Sequence, residues 1–268
     1  MKKTLLIATA VISILASCPA TAKEEAREDF KKYFDMFDAE GTFVLYNQQE
    51  NEYIYYNKEL ASKGFIPAST FKIYNSLIGL ETGVIKNEHH TIPWDGVIRN
   101  REVINKDQDL ESAFKVSALW YYQELARQVG QEQMRYWIDT LGYGNADISA
   151  GIDKFWIEGN LRISPVQQVN LLVKLRNNEL PFSDRSIDIV RKIMINKATT
   201  GYTLRTKTGW GEQDNRDVGW YVGYIETEGN VYYFAICIQP KGAMKDDFLK
   251  ARIQIANSIF NDLGLMKE

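Results

Sequence analysis

Ser69 and Lys72 stand three residues apart in Pro67-Ala68-Ser69-Thr70-Phe71-Lys72, a proline-led turn that runs into a helical pattern. At that spacing two side chains share one helix face. A serine hydroxyl attacks carbonyl carbon only when a base within hydrogen-bond reach takes its proton, and a neutral amine can be that base. Ser-x-x-Lys is one arrangement that supplies it. The same residues would also suit a helix N-cap and a solvated lysine. Phe71, Ile73 and Leu77 favour a buried helix instead, and burial in low dielectric strips a lysine of its proton.

The rest of the chain must build a frame for this pair. Its 268 residues are 45% hydrophobic and 12% aromatic, enough for a sizeable core in one domain or one domain with an insertion. A net charge of -3 offers no basic surface for nucleic acid or an anionic membrane. The two histidines, His89 and His90, are adjacent and read as a surface loop, so no metal site is expected. Lys2 and Lys3, an apolar run over 5–15 and small residues ending in Ala20-Thr21-Ala22 have the composition of an export signal. That run is too short to span a bilayer. Residues 1–22 are therefore assigned to a signal peptide and 23–268 to one domain in the periplasm. Leu15-Ala16-Ser17-Cys18 carries a competing lipoprotein pattern, in which Cys18 would be lipidated and anchor the protein. Cleavage after Ala22 leaves Cys237 as the one cysteine, in an apolar strand-like run and without a disulfide partner.

Phe30, Phe34 and Phe37 give helical spacing over 26–37. Residues 41–46 and 53–56 read as a hairpin, and a helix over 69–82 stops at Gly83. Helical patterns follow over 110–114, 118–129, 131–141, 165–175 and 186–195, with Ser164-Pro165 and Gln167 forming a helix-start signature. Ser117 would open the helix from 118. Strand-like runs occupy 203–208, 218–226 and 231–238, with a turn at Glu228-Gly229-Asn230, and a last helix covers 247–263. The simplest assembly is an α+β fold: one antiparallel sheet flanked by helices, a helical second lobe, and a cleft between them.

Ser69-Thr70-Phe71-Lys72, Ser117-Ala118-Leu119, Tyr143-Gly144-Asn145, Phe155-Trp156-Ile157-Glu158-Gly159-Asn160 and Lys207-Thr208-Gly209 occur in an order that resembles the class D (oxacillinase-type) serine β-lactamases. The resemblance covers nearly the whole mature chain. It implies the β-lactamase/transpeptidase-like fold and hydrolysis of β-lactams through an acyl-serine at Ser69. By the same resemblance Lys72 reacts with carbon dioxide to give N6-carboxylysine, the general base, which Trp156 stabilises. Ser117 would relay a proton, and Lys207 would supply positive field. Thr208, Gly209, Trp210 and Arg252 would bind substrate, with the backbone N–H groups of Ser69 and Trp210 as the oxyanion hole. Lys250 competes with Arg252 for the substrate carboxylate. Leu119 stands where the family usually has valine and adds bulk beside the lysine. Tyr143-Gly144-Asn145 reads as structural support, and Glu158 is not taken as a base. No metal or organic cofactor is implied, only carbon dioxide or bicarbonate, and the partners are β-lactams, with no nucleic acid and no membrane span. Nothing in the sequence specifies an oligomeric state. Two rivals share Ser-x-x-Lys: a penicillin-binding transpeptidase, and a β-lactam sensor that is acylated without turnover.

Overall fold

The computed structural model describes residues 21–266, so the export-signal residues up to 20, including Cys18, lie outside the described part. Strand β1 (Lys23–Ala26), a 3-10 turn (Glu28–Phe30) and helix α1 (Lys31–Asp35) come first. The hairpin β2 (Ala39–Asn47) and β3 (Glu52–Tyr56) leads through α2 (Lys58–Ala61) to a 3-10 turn (Ala68–Phe71) and α3 (Lys72–Glu81). A ribbon of β4 (Thr91–Ile92) and β5 (Gln108–Asp109) brackets a loop. Then come α4 (Leu110–Val116), α5 (Leu119–Val129), α6 (Gln131–Leu141), α7 (Pro165–Arg176) and α8 (Asp184–Ile193). Strands β6 (Ile195–Ala198), β7 (Tyr202–Gln213), β8 (Arg216–Thr227) and β9 (Asn230–Pro240) precede α9 (Phe248–Asp262).

Among the described residues the main sheet has seven strands in the order β1-β3-β2-β9-β8-β7-β6. One face packs on the helical lobe through Phe71, Tyr74, Leu77, Trp156, Trp220 and Tyr233. The other is covered by α1 and α9 through Phe30, Phe34, Phe43, Ile255 and Phe260. Because both faces are covered, β8 is buried at every position from 218 to 225, and its sequence is a continuous apolar run without alternation. The expected helix starts hold well: Ser164 accepts from Gln167 N–H while the Gln167 side chain returns to Ser164 N–H. Gly83 takes φ +75 after α3. Cys237 is buried in β9 with a free thiol.

Four expectations change. The helix over 26–37 is shorter, because residues 23–26 pair in parallel with β3 and Arg27 N–H donates to Tyr55 O. That parallel pair makes the sheet mixed instead of wholly antiparallel. Residues 195–198, expected to end a helix or follow it, form β6; all four are exposed and carry no apolar alternation to mark a strand. Ser117 does not open α5: it closes α4 at φ +57, a left-handed C-cap, while Ala118 is the N-cap of α5.

Candidate active site

Ser69 owes its position to the residue before it. Ala68 is fully buried at φ +49, a conformation L-residues avoid and keep only where the surroundings impose it. Those surroundings are specific. Ile66 N–H donates to Gln213 Oε1 at 2.9 Å and Ile66 O accepts from Trp220 Nε1 at 2.8 Å, fixing the approach to β7 and β8. Thr70 Oγ1 donates to Pro67 O at 2.7 Å and accepts from Gln168 Nε2 at 2.7 Å, tying the turn to α7. Ser69 is half-buried at the start of this turn, where helix N–H groups lack intrahelical acceptors, so its N–H is available to a ligand. Gln168 and Gln213 were not singled out by sequence, because their partners lie about a hundred residues or more away.

Lys72 is fully buried, and both hydrogen bonds of its amine go to Ser117: 2.8 Å to the carbonyl and 2.9 Å to Oγ. Its Nζ also lies 5.2 Å from the centre of the Tyr122 ring. Burial, then the charges of Lys207 and Arg101, push its pKa well below that of an ordinary lysine. Lys207 Nζ donates to the same Ser117 Oγ at 3.0 Å and to Thr208 O at 3.1 Å. Burial, with Arg252 and Arg101, draws Lys207 down to about 7. The left-handed turn at Ser117 aims carbonyl and hydroxyl together at these amines. Leu119 is half-buried in the first turn of α5 and packs on the main core.

Lys207 is not on the outermost strand, since β6 lies outside β7, but β6 pairs only with residues up to 205. Thr206 N–H points away from β8, to Met194 O. Strand N–H groups alternate sides, so those of Thr208 and Trp210 point the same way, beyond the end of β6. The N–H groups of Ser69 and Trp210 are thus both open to the groove. Gly209 was expected to let a substrate backbone approach; the structure adds a second constraint, since a Cβ there would lie 3.1 Å from Pro67 O and 3.2 Å from both Thr70 Cγ2 and Trp220 Cβ. The Trp210 ring is half-exposed and donates to Asp217 Oδ1 at 2.7 Å.

Thr206 and Thr208 line, with Lys207, Phe114, Tyr221 and Ile253, a cleft of 440 Å³ running toward α9. Ser69, Lys72, Trp156 and Arg252 are not among the residues that line it. Arg252 is buried in α9 with Nε and Nη1 unpartnered among the described residues, and burial lowers its pKa to about 10. The competing Lys250 is exposed.

Trp156 is fully buried and stacks on Phe71 at 5.7 Å, and its Nε1–H has no partner among the described residues. Phe71 also meets Tyr143 at 5.2 Å and Phe155 at 5.0 Å, so one ring next to Lys72 gathers both loops. Gly144 and Asn145 hold the 155–163 segment: a Cβ at Gly144, φ +56, would fall 1.9 Å from Arg162 O, and Asn145 donates to Asn160 O and accepts from Arg162 N–H. The Glu158 side chain is 63% exposed and pairs at 3.9 Å with Lys154. His89 is exposed on its loop. Among the described residues no group of acidic, histidine and cysteine side chains could hold a metal.

With this geometry in place, the penicillin binding protein transpeptidase domain family matches residues 34–263. The probable β-lactamase YbxI of Bacillus subtilis is 44% identical over 205 residues, 76% of this chain and 76% of that protein. The crystal structure of a class D β-lactamase from Sebaldella termitidis superposes with a TM-score of 0.88 at 37% identity, covering 92% of this chain and all of that one. The C-terminal domain of the BlaR penicillin receptor of Bacillus licheniformis superposes with a TM-score of 0.87 at 35% identity, over 93% of this chain and all of that domain.

Proposed function

The chain belongs to the penicillin binding protein transpeptidase-domain family and, within it, to the class D β-lactamases, and from that premise we propose a mechanism for β-lactam hydrolysis by this protein. The observation that carries it is a serine hydroxyl, Ser117 Oγ, shared by two buried lysine amines, one of them three residues after a second serine on a strained turn. Ser69 Oγ attacks the lactam carbonyl carbon as its proton passes to Lys72, held neutral by burial. The carbonyl oxygen becomes an oxyanion between the N–H groups of Ser69 and Trp210. The lactam C–N bond breaks, and Ser117, which accepts from both amines and has its own O–H to give, passes its proton to the leaving nitrogen and is reprotonated by Lys72 along the hydrogen bond between them. Water then attacks the Ser69 ester, giving a proton to Lys72, and that proton returns to Ser69 Oγ as the ester C–O bond breaks and the penicilloate-type acid leaves. Lys207 and Thr208, which line the cleft, and the buried, unpartnered guanidinium of Arg252 hold the substrate carboxylate.

The residues around Lys72 fit a carbamate. An amine held neutral by burial is the form that reacts with carbon dioxide, and the unpartnered Trp156 N–H is, among the described residues, a donor without an acceptor. A buried N–H left unpaired costs about 1–3 kcal/mol, which a carboxylate on Lys72 would remove. When present, that carboxylate supplies a general base on a longer arm than the amine.

Export belongs to the same proposal: β1 opens at Lys23, the residue cleavage after Ala22 would leave first. Among the described residues no helix is long and apolar enough to cross a membrane. Mass measurement of the protein from a periplasmic extract distinguishes a Lys23 start from a lipidated Cys18.

Likeness to the BlaR domain favours a second reading, a sensor that is acylated and held. Steady-state hydrolysis of a chromogenic cephalosporin by purified protein decides between them. Many turnovers per molecule are expected; one equivalent of acylation without turnover overturns hydrolysis.

A further inference from the structure

The groove carries a cation that the mechanism above does not use. Arg101 lies on the loop between β4 and β5, and its Nη2 donates to Val116 O at 2.7 Å. Val116 precedes Ser117, whose hydroxyl joins Lys72 and Lys207, so the guanidinium sits one residue from the centre of the site. It is near enough to press on the protons of both lysines. Its side chain is exposed.

Three features make this arginine available to a ligand. Among the described residues no carboxylate forms an ion pair with it: Asp95 is taken up by Arg99 through contacts of 2.9 and 2.6 Å, and Asp107 accepts from Trp94 N–H. The loop that carries it is braced, since Asn105 both accepts from Arg99 N–H at 2.9 Å and donates to Arg99 O at 2.8 Å. Among the described residues only Nη2 is anchored, so the guanidinium keeps other N–H groups for an incoming oxyanion. Arg101 and Arg252 also stand on different elements, the loop that abuts α4 and the helix α9, and both are near enough to Lys207 to lower its pKa. A penicillin presents its ring carboxylate and its acylamino group at opposite ends of the lactam. With the ring carboxylate toward Thr208 and Arg252, the acylamino end is left for the other arginine.

We propose that Arg101 is a specificity-determining residue that pairs with a second carboxylate on the acyl side chain of a β-lactam, so that dianionic penicillins are favoured substrates. The inference rests on the lactamase reading and deepens it. A planar guanidinium meets a carboxylate through two parallel N–H···O bonds, which a lysine or a neutral amide does not reproduce.

The test uses two compounds that differ by that one group: benzylpenicillin and carbenicillin, which carries a carboxylate on the side-chain α-carbon. The ratio of kcat/KM for carbenicillin over benzylpenicillin is measured for the parent, Arg101→Gln and Arg101→Lys, with melting temperatures as a check on folding. The ratio is expected to fall about tenfold in Arg101→Gln, as for loss of one charge-assisted contact, and less in Arg101→Lys. An unchanged ratio overturns the inference, whether both values hold or fall together; a joint fall would place Arg101 on the ring carboxylate. Should neither compound be turned over, the hydrolytic reading fails on its own, and acylation rates of Ser69 by the two compounds, followed by mass spectrometry, give the same ratio and decide the role of Arg101.

Discussion

Lys72 and Lys207 hydrogen-bond one and the same hydroxyl oxygen, Ser117 Oγ, at 2.9 and 3.0 Å. Two ammonium groups so placed in a dry interior cannot both hold a proton cheaply: burial lowers both pKa values, and the charge of Lys207 lowers that of Lys72 further. The site therefore spends stability on a neutral amine beside a titrating one.

Removing that amine while keeping its bulk should show the cost. Lys72→Met is expected to melt above the parent, because an apolar side chain suits a fully buried position better than a lysine. Lys72→Ala should still fold, with a melting temperature lowered by the cavity. Both should lose turnover by about 10²-fold or more, the scale of a missing general base. Paired thermal melts and steady-state rates check it; a variant with unimpaired turnover refutes the role of Lys72.

Ser117 separates chemistry from backbone strain. Its φ of +57 penalises any residue with a Cβ, by about 1–2 kcal/mol relative to glycine. Ser117→Gly should thus match or exceed the parent in stability and Ser117→Ala should not exceed it, while both lose the shared hydroxyl and with it most of kcat/KM. Activity retained in either would remove the hydroxyl from proton relay.

What the sequence discloses and what it hides follow from range. Ser69, Lys72 and the capping box at Ser164 are local patterns, and local geometry fixes them whatever the rest of the chain does. The left-handed Ser117 C-cap was misread as a helix start because Ser is common at N-caps, and only the contact of its carbonyl with Lys72, 45 residues away, explains the turn. Strands β1 and β6 have wholly exposed side chains, so neither shows the alternation that marks a half-buried strand. Gln168, Tyr122 and Arg101 act through contacts across the fold that no spacing announces.

Lys207 gives the reaction a pH dependence whose sign can be worked out. With its pKa at about 7 in the folded protein, Lys207 loses its charge as pH rises through neutrality. kcat/KM, which reports the free enzyme, should fall on the alkaline side of about 7, and a bound substrate carboxylate should move the fall in kcat to higher pH. Unfolded lysine titrates near 10.4, so between about 7 and that value the unfolded chain binds the extra proton and folding stability should rise with pH. Lys207→Met should flatten that rise. Denaturant melts from pH 6 to 10 test the second statement, and a stability curve whose slope is the same in parent and variant contradicts it.

The loop that carries Trp156 depends on Gly144 for a reason independent of chemistry. A Cβ there meets Arg162 O at 1.9 Å, in a backbone conformation L-residues avoid. Gly144→Ala should loosen the Asn145 contacts to Asn160 and Arg162 and free the segment behind Phe71. Lower thermal stability and faster amide exchange over 155–163 are expected; exchange indistinguishable from the parent would show that the loop is held elsewhere.

Trp156→Phe tests the tryptophan without emptying its place. The ring still stacks beside Phe71, so the core is kept, while a buried N–H with no protein acceptor disappears. In the absence of carbon dioxide the variant should therefore be as stable as the parent or more so. With bicarbonate added the order should reverse in activity: a carboxylate on Lys72 would lose its indole donor, and the variant should need more bicarbonate for half-maximal turnover. Titrating bicarbonate against turnover, with ¹³C-labelled bicarbonate followed by NMR as a readout besides activity, checks both halves. Equal bicarbonate dependence and equal carbamate signal in the two proteins would show that the indole N–H is not what the carboxylated lysine leans on.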